Sequence, residues 1–213
     1  MPLKKLVLLL GLAGFGTGEP ALAETAITIT YLKQEVVRPP VLSNLDAIPD
    51  DEGWRGAEIA IEDNATTGKF LGQSWALNEV VVPVGGDLMA AAREVAMLTP
   101  YVIVDAPRDD LLALADMTEL SQSILFNVGA EDRDLRDDAC RANVLHTATS
   151  LAMRTDALMQ FLTQRRWTKL ALISGPHPSD LAFAEALRTS AKKFNLKFKG
   201  EKEWRFDANM RRA

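Results

Sequence analysis

The stretch "VVVPVGGDLMAAAREVAMLTPYVIVDAPRDDLLALADMTELSQSILFNVGA", residues 80–130, sets the fold. Val80-Val81-Val82 is a short β-branched run, and Asp87 to Leu98 has apolar residues at helical spacing behind an acidic start. Tyr101-Val102-Ile103-Val104 is apolar without alternation, so both of its faces are expected to be covered. Pro107 to Glu119 reads as a helix with proline at its first turn, and Ser123 to Phe126 as another strand. Short strands alternating with helices predict parallel βαβ units.

The rhythm extends outward in both directions. Ala26 to Tyr31 is a β-rich run, and Trp54, Ala57, Ile61 and Ala65 mark one face of a helix preceded by Asp50-Asp51-Glu52. Carboxylates before a first turn favour the helix dipole, which explains them without a ligand. The proline-bearing segment from Lys33 to Glu52 is too long for an ordinary connection and suggests an ordered or functional loop. Beyond residue 130, Ser150 to Arg166 is expected to be a helix and Leu170 to Ile173 a strand. Ser179 or Asp180 caps a further helix, and Lys197 to Trp204 begins a last strand. The fold class is therefore α/β, with two lobes built on parallel sheets. The expected organisation is a leader at 1–23, a first lobe at 24–130, a crossover at 131–149 and a second lobe at 150–213. With only about one and a half βα units in it, that second lobe reads as incomplete.

The N-terminus carries a second signal. Lys4-Lys5, the apolar run Leu6 to Leu12 and Ala21-Leu22-Ala23 have the form of a cleavable export leader. The apolar run is shorter than the roughly 20 residues a spanning helix needs, and no later segment is expected to insert in a membrane. Removing residues 1–23 takes away two lysines and one glutamate. The 24 basic and 29 acidic residues become 22 and 28, and the net charge moves from −5 to about −6. An acidic chain of this kind argues against nucleic acid or an anionic lipid surface as its main partner. Cys140 is the only cysteine, and an unpaired thiol in an oxidising compartment leads one to expect burial or a partner elsewhere.

Chemistry-bearing motifs are sparse. The sequence holds no G-x-G-x-x-G after a strand, no Walker loop, no G-x-S-x-G elbow and no H-E-x-x-H. Neither His146 nor His177 is placed beside a nucleophile by spacing; packing in the crossover is expected of His146. Five carboxylates crowd Glu131 to Asp138, with Arg133 and Arg136 between them. A solvated, self-paired connector, a ligand contact and a hard-cation site are the three readings. The interleaved arginines and the lack of ordered calcium-loop spacing favour the first. No cofactor, metal or catalytic residue is expected.

Geometry supplies the candidate site. Ligands of open parallel sheets bind outside the carboxyl ends of the strands. Those ends carry Glu35, then Asp105 and Ala106, then Asn127, Gly129 and Ala130, then Ser174 and His177. All eight are candidate ligand-binding residues.

The segments "AITITYL" (26–32), "GWRGAEIAIEDNATTGKFLG" (53–72), "YVIVDAP" (101–107) and "LRDDACRANVLHTATSLAMRTDALMQFL" (135–162) resemble type I periplasmic solute-binding proteins of ABC importers. The resemblance is to the branched-chain amino acid and amide binders, and more closely to the branch associated with PQQ-dependent alcohol dehydrogenase systems. It implies two Rossmann-like lobes joined by three crossings, a small-molecule ligand at the hinge cleft, ABC permease subunits as partners, a periplasmic location and no enzymatic activity. Asp105 stands where the class usually has a small hydroxyl residue, and Pro107 lacks an N–H donor. A free carboxylate facing Asp105 is repelled, so a neutral or cationic small molecule is the expected ligand. The alternatives are a ligand-sensing or accessory protein of a dehydrogenase system without transport, and a periplasmic enzyme on the same scaffold. The leader reading carries its own test: N-terminal sequencing of secreted material is expected to begin at Glu24, and a retained Lys4-Lys5 segment contradicts it.

Overall fold

The structure is a computed structural model, and it describes residues 25–37, 49 and 51–204. The expected leader, its cleavage point at Glu24, most of the proline-bearing loop and residues 205–213 lie outside the described residues.

Strand β1 (Thr25–Gln34) leads through the loop to helix α1 (Glu52–Leu71), which ends on Gly72 in the left-handed region at φ 66°. The Gly72 N–H reaches the Gly68 carbonyl there, a turn that glycine enters without strain. β2 (Gln73–Val82) follows, then α2 (Leu88–Leu98), whose cap Asp87 accepts the Ala90 N–H at 2.9 Å. β3 (Tyr101–Asp105), α3 (Arg108–Ala115) and β4 (Ile124–Asn127) complete the stretch that sequence periodicity had marked. The helix expected to run to Glu119 stops at Ala115. Met117 is extended, and a single 3-10 turn at Thr118–Leu120 leads into β4.

Strands β1 to β4 pair in parallel, in the order β2-β1-β3-β4. A fifth strand, β5 (Val144–His146), adds to β4 in parallel with Leu125 opposite Val144 and Asn127 opposite His146. It sits within the segment expected to be a crossover. Three residues are too short to show a strand period, so only pairing reveals it. The second body comprises α4 (Leu151–Gln164), β6 (Leu170–Ser174), α5 (Pro178–Lys193) and β7 (Phe198–Glu203). β6 and β7 form a separate two-stranded parallel sheet. α5 begins at Pro178 with His177 as its cap, two or three residues ahead of the expected cap at Ser179 or Asp180. Asp180 instead reaches back to accept the His177 N–H at 3.2 Å.

Two cores follow from this division. In the first body, Leu32, Val102, Val104 and Leu125 on one sheet face pack against Leu88, Ala92 and Val95 of α2 and Leu111 and Leu114 of α3. In the second, Met159 of α4, Leu172 of β6 and Ala184, Leu187 and Ala191 of α5 form a smaller cluster. Each fully buried leucine or valine contributes on the order of 1.5–3 kcal/mol of transfer free energy, so the first body carries most of the hydrophobic stabilisation. No helix among the described residues is long and apolar enough to cross a membrane.

Cys140 corrects a sequence expectation. It is exposed in the loop before β5, because the 3-10 turn at Asp134–Arg136 buries Leu135 and leaves the following residues outside. It is therefore expected to react with an aromatic disulfide reagent within seconds under native conditions. Labelling that needs denaturant contradicts this placement.

Candidate functional site

The chain order 2-1-3-4-5 has a direction change at β1. From β1 the chain moves out to β2, then returns past β1 to β3. Helices α1 and α2 therefore leave on opposite faces, and a crevice opens between the carboxyl ends of β1 and β3. A cleft of about 420 Å³ occupies that place. Lys33, Gln34, Glu35 and Val36 line it from the end of β1, Val84 from the end of β2, Asp105, Ala106 and Pro107 from the end of β3, and Gly129 from the end of β4.

Asp105 is fixed from behind. Its Oδ2 accepts a hydrogen bond from the Tyr31 hydroxyl at 2.7 Å. Tyr31 is only 1% exposed and lies edge-on to Trp54 of α1, with ring centroids 6.1 Å apart. Both side chains are on one sheet face: Lys33 is opposite Asp105 in register, and Tyr31 precedes Lys33 by two residues. The approach of α1 requires a glycine, since a Cβ on Gly53 would sit 2.1 Å from the Tyr31 hydroxyl. Gly129 closes the other side. A Cβ there would lie 2.6 Å from Asp105 Oδ1 and 2.8 Å from the Ala106 nitrogen.

The charge of the cleft is mixed but acid-rich. Lys33, Glu35 and Asp105 line it together, and an adjoining recess shared through Glu35 and Val84 adds Asp87 and Asp110. Asp87 already accepts the Ala90 N–H as the cap of α2. Such a wall favours hydrogen-bond donors and cations over free carboxylates.

Of the eight residues singled out from sequence, the cleft brings together Glu35, Asp105, Ala106 and Gly129. Asn127 and Ala130 are buried beneath it. The Asn127 side chain is turned inward, where its Oδ1 accepts the Ala130 N–H at 2.9 Å and its Nδ2 donates to the Ala130 carbonyl at 2.8 Å. Ser174 lies apart, at a shallow recess of the second body shared with Gly175, Asp180 and Phe183; His177 is exposed at the start of α5. Sequence reasoning passed over Tyr31. The signal for it was its position two residues before Lys33, on the face that strand alternation assigns to Asp105.

The acidic run has a structural role of its own. Asp134 pairs with Arg108 of α3, Asp137 with Arg133 at 3.7 Å, and Glu131 with Arg154 of α4. The Arg108 hydrogen bonds hold the Asp134 carboxyl below the usual carboxylate range, while burial pushes Asp132 above it. The Arg154 pair, with the Leu151 N–H donating to the Glu131 carbonyl at 2.8 Å, ties the end of the first body to the start of α4. A larger, acid-lined cavity of about 740 Å³ lies between this connector and helices α4 and α5. It shares no lining residue with the strand-end cleft, and Asp156 within it already holds Lys193 and Ser190.

The fold is that of the type I periplasmic substrate-binding proteins: a doubly wound parallel sheet with its crevice at the switch point, followed by a second α/β unit. Solved structures with this architecture include an ABC transporter substrate-binding protein from Desulfitobacterium hafniense, at 12% identity and a TM-score of 0.59. The same organism's ABC transporter substrate-binding protein in complex with Leu aligns at 14% identity and a TM-score of 0.61. In each comparison 86% of this chain is covered. A periplasmic binding protein from Burkholderia mallei aligns at 14% identity and a TM-score of 0.52, over 87% of this chain. The chain spans about half the length of these proteins, 51%, 51% and 48% respectively. No family model and no curated protein matches the chain.

The packing at Gly129 gives a measurable expectation. Gly129→Ala drives a methyl group into backbone and the Asp105 carboxylate, and is expected to cost about 1–3 kcal/mol by urea denaturation. Gly56→Ala, in the exposed face of α1 with nothing within 4 Å, is expected to stabilise by about 0.5–1 kcal/mol. Equal effects of the two would contradict the close approach at Gly129.

Proposed function

We propose that the chain is the solute-binding component of a periplasmic ABC importer. It holds a small organic molecule at the carboxyl ends of β1, β3 and β4 and has no chemistry of its own. The observation that carries this reading is the position of Asp105. It stands at the switch-point crevice, oriented by a buried tyrosine and walled by Gly129. Two lobes, at 24–130 and from residue 150 onward, with a crossover at 131–149, would move about the connector to trap the ligand and present a closed surface to permease subunits. Export by the N-terminal leader would place the protein in the periplasm.

The ligand class follows from charge. Asp105 and Glu35 face the cleft beside one lysine, Lys33. A hydroxyl or ammonium group donates to Asp105 at no desolvated like-charge cost, whereas a free carboxylate is repelled there. The resemblance to the branch associated with PQQ-dependent alcohol dehydrogenase systems makes small alcohols and their neutral derivatives the first compounds to test. Ser174 and His177 would contribute from the second lobe on closure.

Native mass spectrometry of the protein isolated from periplasm is expected to show a co-purifying neutral or cationic small molecule. Asp105→Ala is expected to lower its retention at least tenfold, in line with loss of a hydrogen bond to a charged group. A retained dicarboxylate, or retention indifferent to Asp105, contradicts the assignment. Deleting neighbouring permease genes separates import from sensing: growth on the ligand is lost in the first case and unchanged in the second.

A further inference from the structure

The cleft wall at Gly129 is held by a chain of hydrogen bonds that ends on a titratable ring. Asn127 is 0% exposed, and all of its side-chain partners are fixed. Its Oδ1 accepts from the Ala130 N–H, and its Nδ2 donates both to the Ala130 carbonyl and, at 3.0 Å, to Nδ1 of His146. The other ring nitrogen, Nε2, lies 3.0 Å from the Leu135 carbonyl. A carbonyl can only accept, so Nε2 carries the proton. An amide NH₂ can only donate, so Nδ1 must be the bare, accepting nitrogen. The arrangement therefore admits one state of the ring, the neutral Nε2–H tautomer.

We propose that His146 is a positioning residue for the cleft wall, and that its protonation releases the Asn127–Ala130 turn on which Gly129 is carried. A proton on Nδ1 sets a donor against a donor. Rotating the Asn127 carboxamide does not cure this. The rotated group would offer Oδ1 to the imidazolium, but would then turn its NH₂ toward the Ala130 N–H and its oxygen toward the Ala130 carbonyl. Unrotated, the buried chain holds one donor–donor clash at His146; rotated, it holds two clashes within the turn itself. Asn127 also holds the next segment. Its own carbonyl accepts from the Thr147 and Ala148 N–H groups, at 3.1 and 3.2 Å, and from the Thr147 hydroxyl at 3.0 Å. Loosening at Asn127 is therefore felt both at the cleft and at the start of the connection to α4.

The surroundings keep the ring neutral. Burial and then the Arg136 guanidinium push His146 below its ordinary value, against the Leu135 carbonyl, which raises it. From α3 the ring faces the apolar Leu111 and Leu112, and from the connector Leu135. Arg141 lines the same small recess and is paired with Asp116 beyond the end of α3; no carboxylate lines that recess. A lowered folded value means the unfolded chain binds the proton more readily. The contribution of this contact is complete above the ordinary imidazole value of 6.5 and is lost as the pH falls through the lowered one.

The test needs no ligand. Amide hydrogen exchange of Ala130, corrected for its intrinsic rate, is followed in the whole chain from about pH 7.5 downward until the His146 ring, read from its own NMR signal, has taken up its proton. Protection is expected to fall about tenfold across that range, the scale of one lost hydrogen bond in a buried turn. His146→Gln can accept from Asn127 through Oε1 and donate to Leu135 through Nε2 without titrating, and its protection is expected to stay flat. Unchanged protection in the natural protein, or an equal fall in H146Q, overturns the proposal. Should H146Q fail to fold, NMR of the natural protein decides. The Ala130 amide shift is expected to titrate with the midpoint of the His146 ring and not with that of the exposed His177; an Ala130 shift that ignores His146 overturns the proposal.

Discussion

The constraint on which the first body depends is the burial of a carboxamide at the end of its fourth strand. An apolar residue at position 127 would fill the space but would leave the Ala130 N–H and carbonyl without partners. Each buried group left unpaired in that way costs about 1–3 kcal/mol. Asn127 satisfies both and still has a donor left for His146 on β5. Through its main chain it also receives the segment that leads away to α4. One residue thus sets the turn that shapes the cleft, anchors the last strand of the sheet and starts the connection between the two bodies.

Around that point the sheet is built asymmetrically. Helices α2 and α3 cover one face of β1, β3 and β4 with a dense aliphatic core. The opposite face carries Tyr31 and Ile103 opposite Phe126 and Leu145 in register, and α1 covers its β1–β2 side. The direction change between β2 and β3 creates both features at once. It sends α1 and α2 to different faces, and it leaves the crevice in which Asp105 lies. Tyr31 links the two, since it is buried under α1 and donates to the carboxylate at the crevice. The crevice and the packing under α1 share that hydrogen bond.

The acidic connector uses its charge structurally. Its carboxylates reach to α3, to α4 and to their own arginines, so opposite charges are satisfied across three elements. Exposed pairs of this kind contribute little stability each. Their role is directional, since they fix where the chain leaves the first sheet and where α4 begins. The neutral His146 ring sits between this connector and Asn127, touching Leu135 on one side and the turn on the other.

The sequence by itself determined the elements and their class. The apolar runs at Val80–Val82, Tyr101–Val104 and Ser123–Phe126, separated by helical spacing, admitted little but a parallel α/β sheet. The same pattern located the strand ends, and with them Glu35, Asp105, Ala106 and Gly129 as one wall. What it could not carry was anything that depends on which strand lies beside which. β5 is three residues long and has no period of its own; only pairing with β4 makes it a strand. Asn127 read as a cleft residue because strand ends are polar there, yet its side chain turns inward, where buried backbone groups compete for it more strongly than solvent. Cys140 read as buried because free thiols in exported proteins usually are, but the 3-10 turn before it puts Leu135 inside and the cysteine outside. Tyr31 acquired its role from a partner 74 residues away. Periodicity is a local property of the chain and survives in the sequence, whereas hydrogen-bond partners and burial are properties of neighbours in space, which only the folded sheet supplies.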